Sequence, residues 1–229
     1  MPDGLLRIEK NCPDWDIVLK PEGVISTITS LGTNIWAGTD NGQIWHSPDR
    51  GNSWFQVQFP VTPSAVLALD AHSSENNSPV LVAAIASDGG RCIQVWRSAN
   101  GGSDWNLWLE KGTGWKSIHK AIKAGDGFGR VLALGADCYI YGSEGWKISK
   151  PNNSDTLIFA MFSVPEKDMV FIAIGPDLYF RQVDGMWKPF NQGMIDVDIT
   201  ALSLSPQFDR DRKILALTVN GEVWERELD

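Results

Sequence analysis

The sequence predicts an all-β fold, a β-propeller in which a blade of four strands recurs about five times. Eleven Trp in 229 residues are more than one ordinary core needs and favour a repeated unit. Five of them recur at intervals of about 40 to 50 residues, the length of a propeller blade. They are Trp15, Trp54, Trp105, Trp146 and Trp187. No segment shows a long helical period, which would compete with this interpretation.

Each unit reads as four short strands, a to d. Strand a is predicted at ISTITS, SAVLALDA, KSIHKAI, TLIFAMFS and DITALSLS, and strand b at NIWAGT, VLVAAIA, RVLALG, VFIAIG and KILALTV. These runs are rich in β-branched or aromatic residues and end at Gly, Pro, Asn or Asp, as strands do. Strands c and d flank a polar, Gly-containing turn, as in GQIWHSPDRGNSW (42–54) and IQVWRSANGGSDW (93–105).

The two ends of the chain predict how the ring of blades closes. The last unit ends in GEVWERELD (221–229) without a strand d, and the N-terminus has a spare strand at Trp15. We therefore expect the N-terminal strand to complete the last blade, since this removes an open sheet edge. GLLRIEKN (4–11) resembles a further strand c and has no place in this scheme. Residues 1–229 are expected to form a single propeller domain.

Charge and composition indicate which classes of partner are disfavoured and in which compartment the protein is expected. The net charge of −8 argues against nucleic acid or an anionic membrane surface as the partner. No apolar run approaches the ~20 residues that span a bilayer, and the N-terminus does not resemble a signal peptide. Cys12, Cys92 and Cys138 lack metal-ligand spacing and cannot all pair. We expect a cytoplasmic protein without a cofactor or membrane insertion.

Two turns carry the strongest local motif. SPDRGNSW matches the pattern Ser-x-Asp-x-Gly-x-Ser/Thr-Trp in full, and SANGGSDW matches it with Asn for Asp and Asp for Ser/Thr. The motif residues are Ser47, Asp49, Gly51, Ser53 and Trp54 in the first turn, and Ser98, Asn100, Gly102 and Trp105 in the second. We interpret them as structural: Ser and Asp side chains accept backbone N–H groups, Gly permits a positive φ, and the Trp ring is buried between strands.

In these motifs and their register, nearly the whole chain resembles the Asp-box (bacterial neuraminidase repeat) β-propellers. That family includes sialidases, xyloglucan hydrolases, sortilin-type receptors and photosystem II assembly propellers, so its members share blades and not one function. The resemblance implies that the Asp boxes lie away from the ligand site. The site is then expected among the b–c turns and the d–a connections.

The b–c turns carry a recurring short polar residue. Asp40, Asp88, Asp137, Asp177 and Asn220 occupy these turns in successive units. Such groups around a channel would suit a cation or a polyol, whereas the simpler alternative is that Asp and Asn serve tight hairpin turns, as in DNG (40–42). Both interpretations remain open at this point.

The d–a connection LEKGTGWKS (109–117) holds a Trp outside the repeat register. Trp115 beside Lys116 would stack on a sugar ring or anchor a partner protein, and the alternative is that the loop folds back into the channel. His46, His72 and His119 lie in different units without metal-ligand spacing, so no metal site is predicted.

The expected function is non-enzymatic. A sialidase would need an Arg triad, a Tyr–Glu pair and an acidic Asp, and the chain lacks the Arg-Ile/Leu-Pro motif that the resemblance implies for the first Arg. Its three Tyr fall in predicted c strands. We assign no catalytic residue and expect a scaffold or assembly factor that binds another protein at the loop face around the channel. The alternatives are a carbohydrate-binding, lectin-like propeller and, less favoured, a glycoside hydrolase using carboxylates of the b–c turns.

Overall fold

The computed structural model describes residues 4–8, 14–73, 78–90, 92–111, 118–121, 130–134, 137–142, 145–149, 151, 158–164, 169–182, 185–190 and 197–228. Every strand pairing in this part of the chain is antiparallel. The chain divides into two compact units, Met1–Ala121 and Ile122–Asp229. The single domain expected from the sequence stays a prediction.

The sheets take their strands in chain order. The N-terminal hairpin consists of β1 (Leu5–Ile8) and β2 (Trp15–Leu19). The next two sheets contain β3 (Ile25–Leu31), β4 (Asn34–Thr39), β5 (Ile44–Ser47) and β6 (Phe55–Gln56), then β7 (Ala65–Ser73), β8 (Pro79–Ser87), β9 (Cys92–Ser98) and β10 (Asn106–Lys111). A 3-10 turn, Asp88–Gly90, joins β8 to β9.

Three further sheets follow. They contain β11 (Ile118–Ala121), β12 (Arg130–Leu134), β13 (Asp137–Gly142) and β14 (Gly145–Ile148); then β15 (Ile158–Val164), β16 (Met169–Ile174), β17 (Asp177–Gln182) and β18 (Lys188–Pro189); and last β19 (Ile199–Leu204), β20 (Lys213–Thr218) and β21 (Val223–Glu227). One helical turn, α1 (Phe208–Asp211), lies between β19 and β20.

The predicted order of strands a to d is confirmed. Four sheets have four strands each, and the last sheet has three, β19 to β21, among the described residues. The three described strands correspond to a, b and c of this unit, as its sequence predicts. All ten predicted a and b runs overlap observed strands, because their apolar stretches end at turn residues.

The predicted role of the N-terminal strand is wrong in its pairing. β2 pairs with β1 in a two-stranded sheet, in which Ile8 lies opposite Trp15 and Leu6 opposite Ile17. The partner strand Leu5–Ile8 therefore comes from the segment 4–11 that had no place in the sequence scheme. A local hairpin closes a short loop, which loses less chain entropy than joining the two ends of the chain.

In the first unit the core lies between the sheets β3–β6 and β7–β10. Trp36 and Ile44 contribute from the first sheet, and Val66, Leu81 and Ile85 from the second. β8 is buried along nearly its whole length, and its sequence is a continuous apolar run, as is typical of a strand covered on both faces. β3, at the end of its sheet, alternates between exposed and half-buried residues instead.

In the second unit each face of β16 contributes to a different cluster. Met169, Phe171 and Ala173 belong to a cluster that also contains Ile214 and Ala216 of β20. Val170, Ile172 and Ile174 belong to a cluster with Ile158 and Met161 of β15. Central strands of packed sheets are buried on both faces, and the apolar residues on both faces of β16 suit this position.

The register Trp whose side chains are described are not the most deeply buried Trp. Trp54 and Trp105 are half-buried, and Trp15 is 60% exposed. The burial between strands predicted for Trp54 is therefore only partial: its ring covers its own turn, and its indole N–H donates to the Gly51 carbonyl at 3.2 Å. Trp36, in strand b, is fully buried instead.

Candidate functional site

The Ser47–Trp54 turn, between β5 and β6, is closed by its own side chains. The Ser47 hydroxyl accepts the Gly51 N–H at 2.7 Å and donates to Asp49 at 2.8 Å. Asp49 Oδ1 accepts the backbone N–H groups of Asn52 and Ser53, at 3.0 and 2.8 Å. Gly51 has a φ of +87°, which a glycine adopts without strain.

The Ser98–Trp105 turn, between β9 and β10, repeats this arrangement with exchanged side chains. The Ser98 hydroxyl accepts the Gly102 N–H at 2.8 Å and donates to Asn100 at 2.9 Å. Asn100 Oδ1 accepts the Asp104 N–H at 2.9 Å, and its amide nitrogen donates to the Asp104 carboxylate at 2.8 Å. The carboxylate is thus at the third position of the motif in the first turn (Asp49) and at the seventh in the second turn (Asp104). The neutral partner, Ser53 or Asn100, takes the other position.

Asp49 makes the first turn sensitive to acid. Its pKa is lowered to about 2, foremost by hydrogen bonds from the Ser53 side chain and the Ser53 N–H. A carboxyl group whose pKa is lower in the folded protein than in the unfolded chain stabilises the fold at pH values above its unfolded pKa. This contribution is lost as the pH falls through the folded pKa. We expect urea midpoints to fall between about pH 4 and pH 2, with a smaller fall in Asp49→Asn.

The second turn supplies the control for this prediction. In the double variant Asp49→Asn, Ser53→Asp, the first turn receives the Asn–Asp pair that the second turn uses. We expect the double variant to recover part of the stability that Asp49→Asn loses at neutral pH. Equal pH dependence in the parent and in Asp49→Asn would contradict the assignment of the low pKa to this turn.

The opposite end of each sheet holds the b–c turns and the d–a connections, and we call it the loop end. In the first full sheet, the Asp40 N–H donates to the Val24 carbonyl at 2.9 Å. The Val24 N–H donates in turn to Asp40 Oδ1 at 2.8 Å. Oδ1 of Asp40 therefore fastens the incoming d–a connection to the b–c turn and fixes the position of the carboxylate beside Val24.

Asp88 and Asp177 occupy different local settings. Asp88 is an exposed residue of the 3-10 turn with a φ of +49°, and the neighbouring Gly89 N–H donates to the Ser64 hydroxyl at 3.0 Å. Asp177 begins β17, and its Oδ2 accepts the Tyr179 hydroxyl at 3.4 Å. The backbone of Asp137 begins β13. The repeat thus places all four aspartates at b–c turns.

The d–a connection predicted to bind a partner is shorter than its sequence indicates. β10 continues to Lys111, so residues 109–111 belong to strand d. Trp115 and Lys116 lie outside the described residues, and their proposed role stays a prediction. His46 packs in strand c: its ring stacks on Trp36 at 4.8 Å, and burial lowers its pKa.

The sequence interpretation missed a recurring apolar residue at the loop end. The turns at 39–42 and 218–221 carry the same Gly N–H to Thr carbonyl hydrogen bond, so Val219 takes the position of Asp40 and Asn220 that of Asn41. The Val219 N–H donates to the Asp198 carbonyl at 2.9 Å. In both sheets the same backbone hydrogen bond joins an exposed Val to an Asp. In the first full sheet the Val belongs to the d–a connection and the Asp to the b–c turn, and in the last sheet the two residue types are exchanged.

These two valines are strongly exposed. Val24 is 66% and Val219 58% exposed. The shared Thr-x-Asn-Gly motif was the available signal, since aligning the two turns on Thr39 and Thr218 pairs the valines with the aspartates.

A second missed pattern lies in the c strands. A side-chain oxygen accepts the indole N–H of the Trp two residues later, in three sheets. The pairs are Gln43–Trp45, Gln94–Trp96 and Glu222–Trp224, at 3.2, 3.1 and 3.3 Å. Residues two apart share one face of a strand, so the repeated Gln/Glu-x-Trp spacing predicts this contact.

The described ranges show neither a candidate metal site nor a candidate membrane-spanning helix. They contain no group of three or more His, Cys, Asp or Glu side chains arranged to hold a metal ion. Nor do they include a helix of the length and apolarity that crossing a bilayer requires. Cys92 is a free, half-buried thiol.

The comparisons with known proteins identify the fold. No protein-family model matches the chain, and no curated protein matches it in sequence. Among solved structures, YCF48 bound to D1 peptide superposes with a TM-score of 0.65 at 13% identity, over 94% of this chain and 68% of that one. YCF48 from Cyanidioschyzon merolae gives 0.60 at 14% identity, over 93% and 71%.

An ancestral GH74 enzyme superposes with a TM-score of 0.75 at 16% identity. The match covers 99% of this chain but 34% of that enzyme. Likenesses at such low identity establish the fold and not the activity. The chain has the β-propeller fold, as its repeats predict.

Proposed function

We propose that the protein is a non-enzymatic scaffold that binds an extended segment of another protein at the loop ends of its sheets. The observation that carries this proposal is the repeated pair of an exposed Val and an Asp at equivalent positions, Val24 with Asp40 and Val219 with Asp198. An apolar contact beside a carboxylate suits a peptide that combines apolar and basic residues.

The geometry supports a preformed surface. The backbone hydrogen bonds between d–a and b–c segments hold the loop ends in place, so a partner loses little affinity to ordering them. A solved propeller of the same fold carries a peptide, D1 peptide on YCF48, which is consistent with this mode of use. We also propose that the two Ser-to-Trp turns are Asp boxes and that the protein acts in the cytoplasm.

The experiment is a selection from a displayed library of random peptides against the purified parent. We expect enriched peptides to combine Lys or Arg with apolar residues. Val24→Lys should weaken peptides that bind the loop end of β3–β6 at least about tenfold, and Val219→Lys those that bind the loop end of β19–β21, because each places a cation and removes an apolar contact at its own loop end.

Met186→Lys is the matched control, since Met186 is 84% exposed in the turn between strands c and d, at the other end of its sheet. Its peptide affinity should equal that of the parent. Peptides that bind both loop-end variants as tightly as the parent would refute the site, and a library without enrichment would refute peptide binding itself. A glycan array in parallel tests the carbohydrate alternative.

A further inference from the structure

Within each compact unit, consecutive sheets pack through opposite faces. We call the face toward the following sheet in the chain the forward face, and the other one the rear face. In the second unit, Phe171 and Leu178 lie on the forward face of β15–β18 and share a cluster with Ile214 and Ala216 on the rear face of β19–β21. In the first unit, Trp36 and Ile44 of β3–β6 likewise meet Leu81 and Ala83 of β7–β10.

The last sheet leaves its forward face partly open. Leu217 and Val223 are cross-strand partners on this face and are 39% and 67% exposed. They occupy the positions of Ala173 and Leu178 in the preceding sheet, where both residues are buried. An apolar surface that is covered in one sheet is thus exposed in the next.

The other half of this forward face is charged. The cross-strand pair Phe171–Phe180 of the preceding sheet corresponds to Leu215–Glu225. Lys213 donates to the Glu225 carboxylate at 2.6 Å. The face therefore has an apolar part beside an ion pair, which resembles the apolar centre and polar rim of a protein interface.

The N-terminal hairpin leaves its rear face open. Leu6, Ile8, Trp15 and Ile17 form two cross-strand pairs on one side of β1–β2, and their exposed fractions are 37%, 45%, 60% and 51%. Arg7, on the opposite side, donates to Asn52 in the turn of the following sheet at 2.6 Å, which identifies that side as the forward face. Four large apolar side chains thus share one uncovered rear face.

We infer that the forward face of the last sheet in one copy of the chain packs on the rear face of the N-terminal hairpin in a second copy. A second copy is the occupant because the molecule itself shows what covers these surfaces: a forward face covers a rear face wherever two described sheets pack within a unit. The contact is head to tail, so each copy contributes one surface of each kind. This contact is independent of peptide binding at the loop ends.

The test uses two variants, each with one surface blocked. The hairpin variant carries Trp15→Lys and Ile17→Lys, and the sheet variant carries Leu217→Lys and Val223→Lys. All four positions are exposed, so circular dichroism and thermal unfolding should match those of the parent. Light scattering coupled to size exclusion measures the mass of each protein over a range of concentrations.

We expect the parent to form species of two or more chains, and each variant alone to have the mass of one chain. An equimolar mixture of the variants should recover a species of two chains, because each still has one intact surface of opposite kind. Met186→Lys, on neither surface, should assemble like the parent.

Three outcomes would overturn the inference. A parent with the mass of one chain at every concentration would show that no second copy binds. Variants that assemble like the parent would place the contact elsewhere. A mixture that stays at one chain would show that the two surfaces do not recognise each other.

Discussion

Replacing Trp36 by Ala is expected to destabilise the protein by about 3–5 kcal/mol, the range for truncating a buried large aromatic residue. Trp36 is fully buried, stacks on His46 at 4.8 Å and donates its indole N–H to the Gly101 carbonyl at 3.2 Å. It therefore joins strand b of one sheet to the c–d turn of the next. Urea unfolding followed by circular dichroism measures the loss.

Two further variants separate the causes of this loss. Trp36→Phe keeps most of the ring but removes the hydrogen bond to Gly101, so it should cost about 1 kcal/mol from that bond alone. Trp54→Ala should cost less than Trp36→Ala, since Trp54 is half-buried on its own turn. A Trp54→Ala loss as large as that of Trp36→Ala would contradict the burial that the structure assigns to these two residues.

Replacing Gly42 by Ala is expected to cost at least about 3 kcal/mol, the upper end of ordinary single substitutions. Gly42 has a φ of +88°, and a Cβ added to it would overlap the backbone carbonyl of Pro63 in the following d–a connection. The alanine therefore combines an unfavourable backbone conformation with a collision against main chain. The urea midpoint of the variant measures the loss.

The chain offers a matched control for this prediction. Gly221 occupies the same position in the turn of the last sheet, with a φ of +79°, and an added Cβ there meets no atom within 4 Å. Gly221→Ala should cost only the backbone strain of about 1–2 kcal/mol. Equal losses in the two variants would mean that the approach of Pro63 to Gly42 plays no part.

Much of the local structure follows from residue patterns that act over short distances. The a and b strands were predictable because β-branched runs end at turn residues, and the order of the strands because one motif recurs. The hydrogen bonds that Ser47 and Asp49 make within the Ser47–Trp54 turn join residues at most four apart, so the motif contains the chemistry that closes it.

The candidate site was predictable only in part. The repeat places Asp40 at the loop end, but the sequence does not say that its carboxylate is engaged by the Val24 N–H, sixteen residues away. Val24 and Val219 were missed because a single Val beside a turn carries no signal by itself, and the shared Thr-x-Asn-Gly motif aligns only the turns. They stand out only once the two turns are aligned by their hydrogen bonds and the exposure of both side chains is known.

The sequence by itself determined the fold class, the four-strand unit and the two box-like turns, because periodicity and turn chemistry are local properties. Only the tertiary structure decided that β2 pairs with β1, that Trp36 is buried more deeply than Trp54, and that Leu217 and Val223 stay exposed. These outcomes depend on which sheet face covers which, and residues far apart in the chain decide that. A repeat marks equivalent positions, and the neighbours at each position determine whether an equivalent residue is buried, paired or left open to a partner.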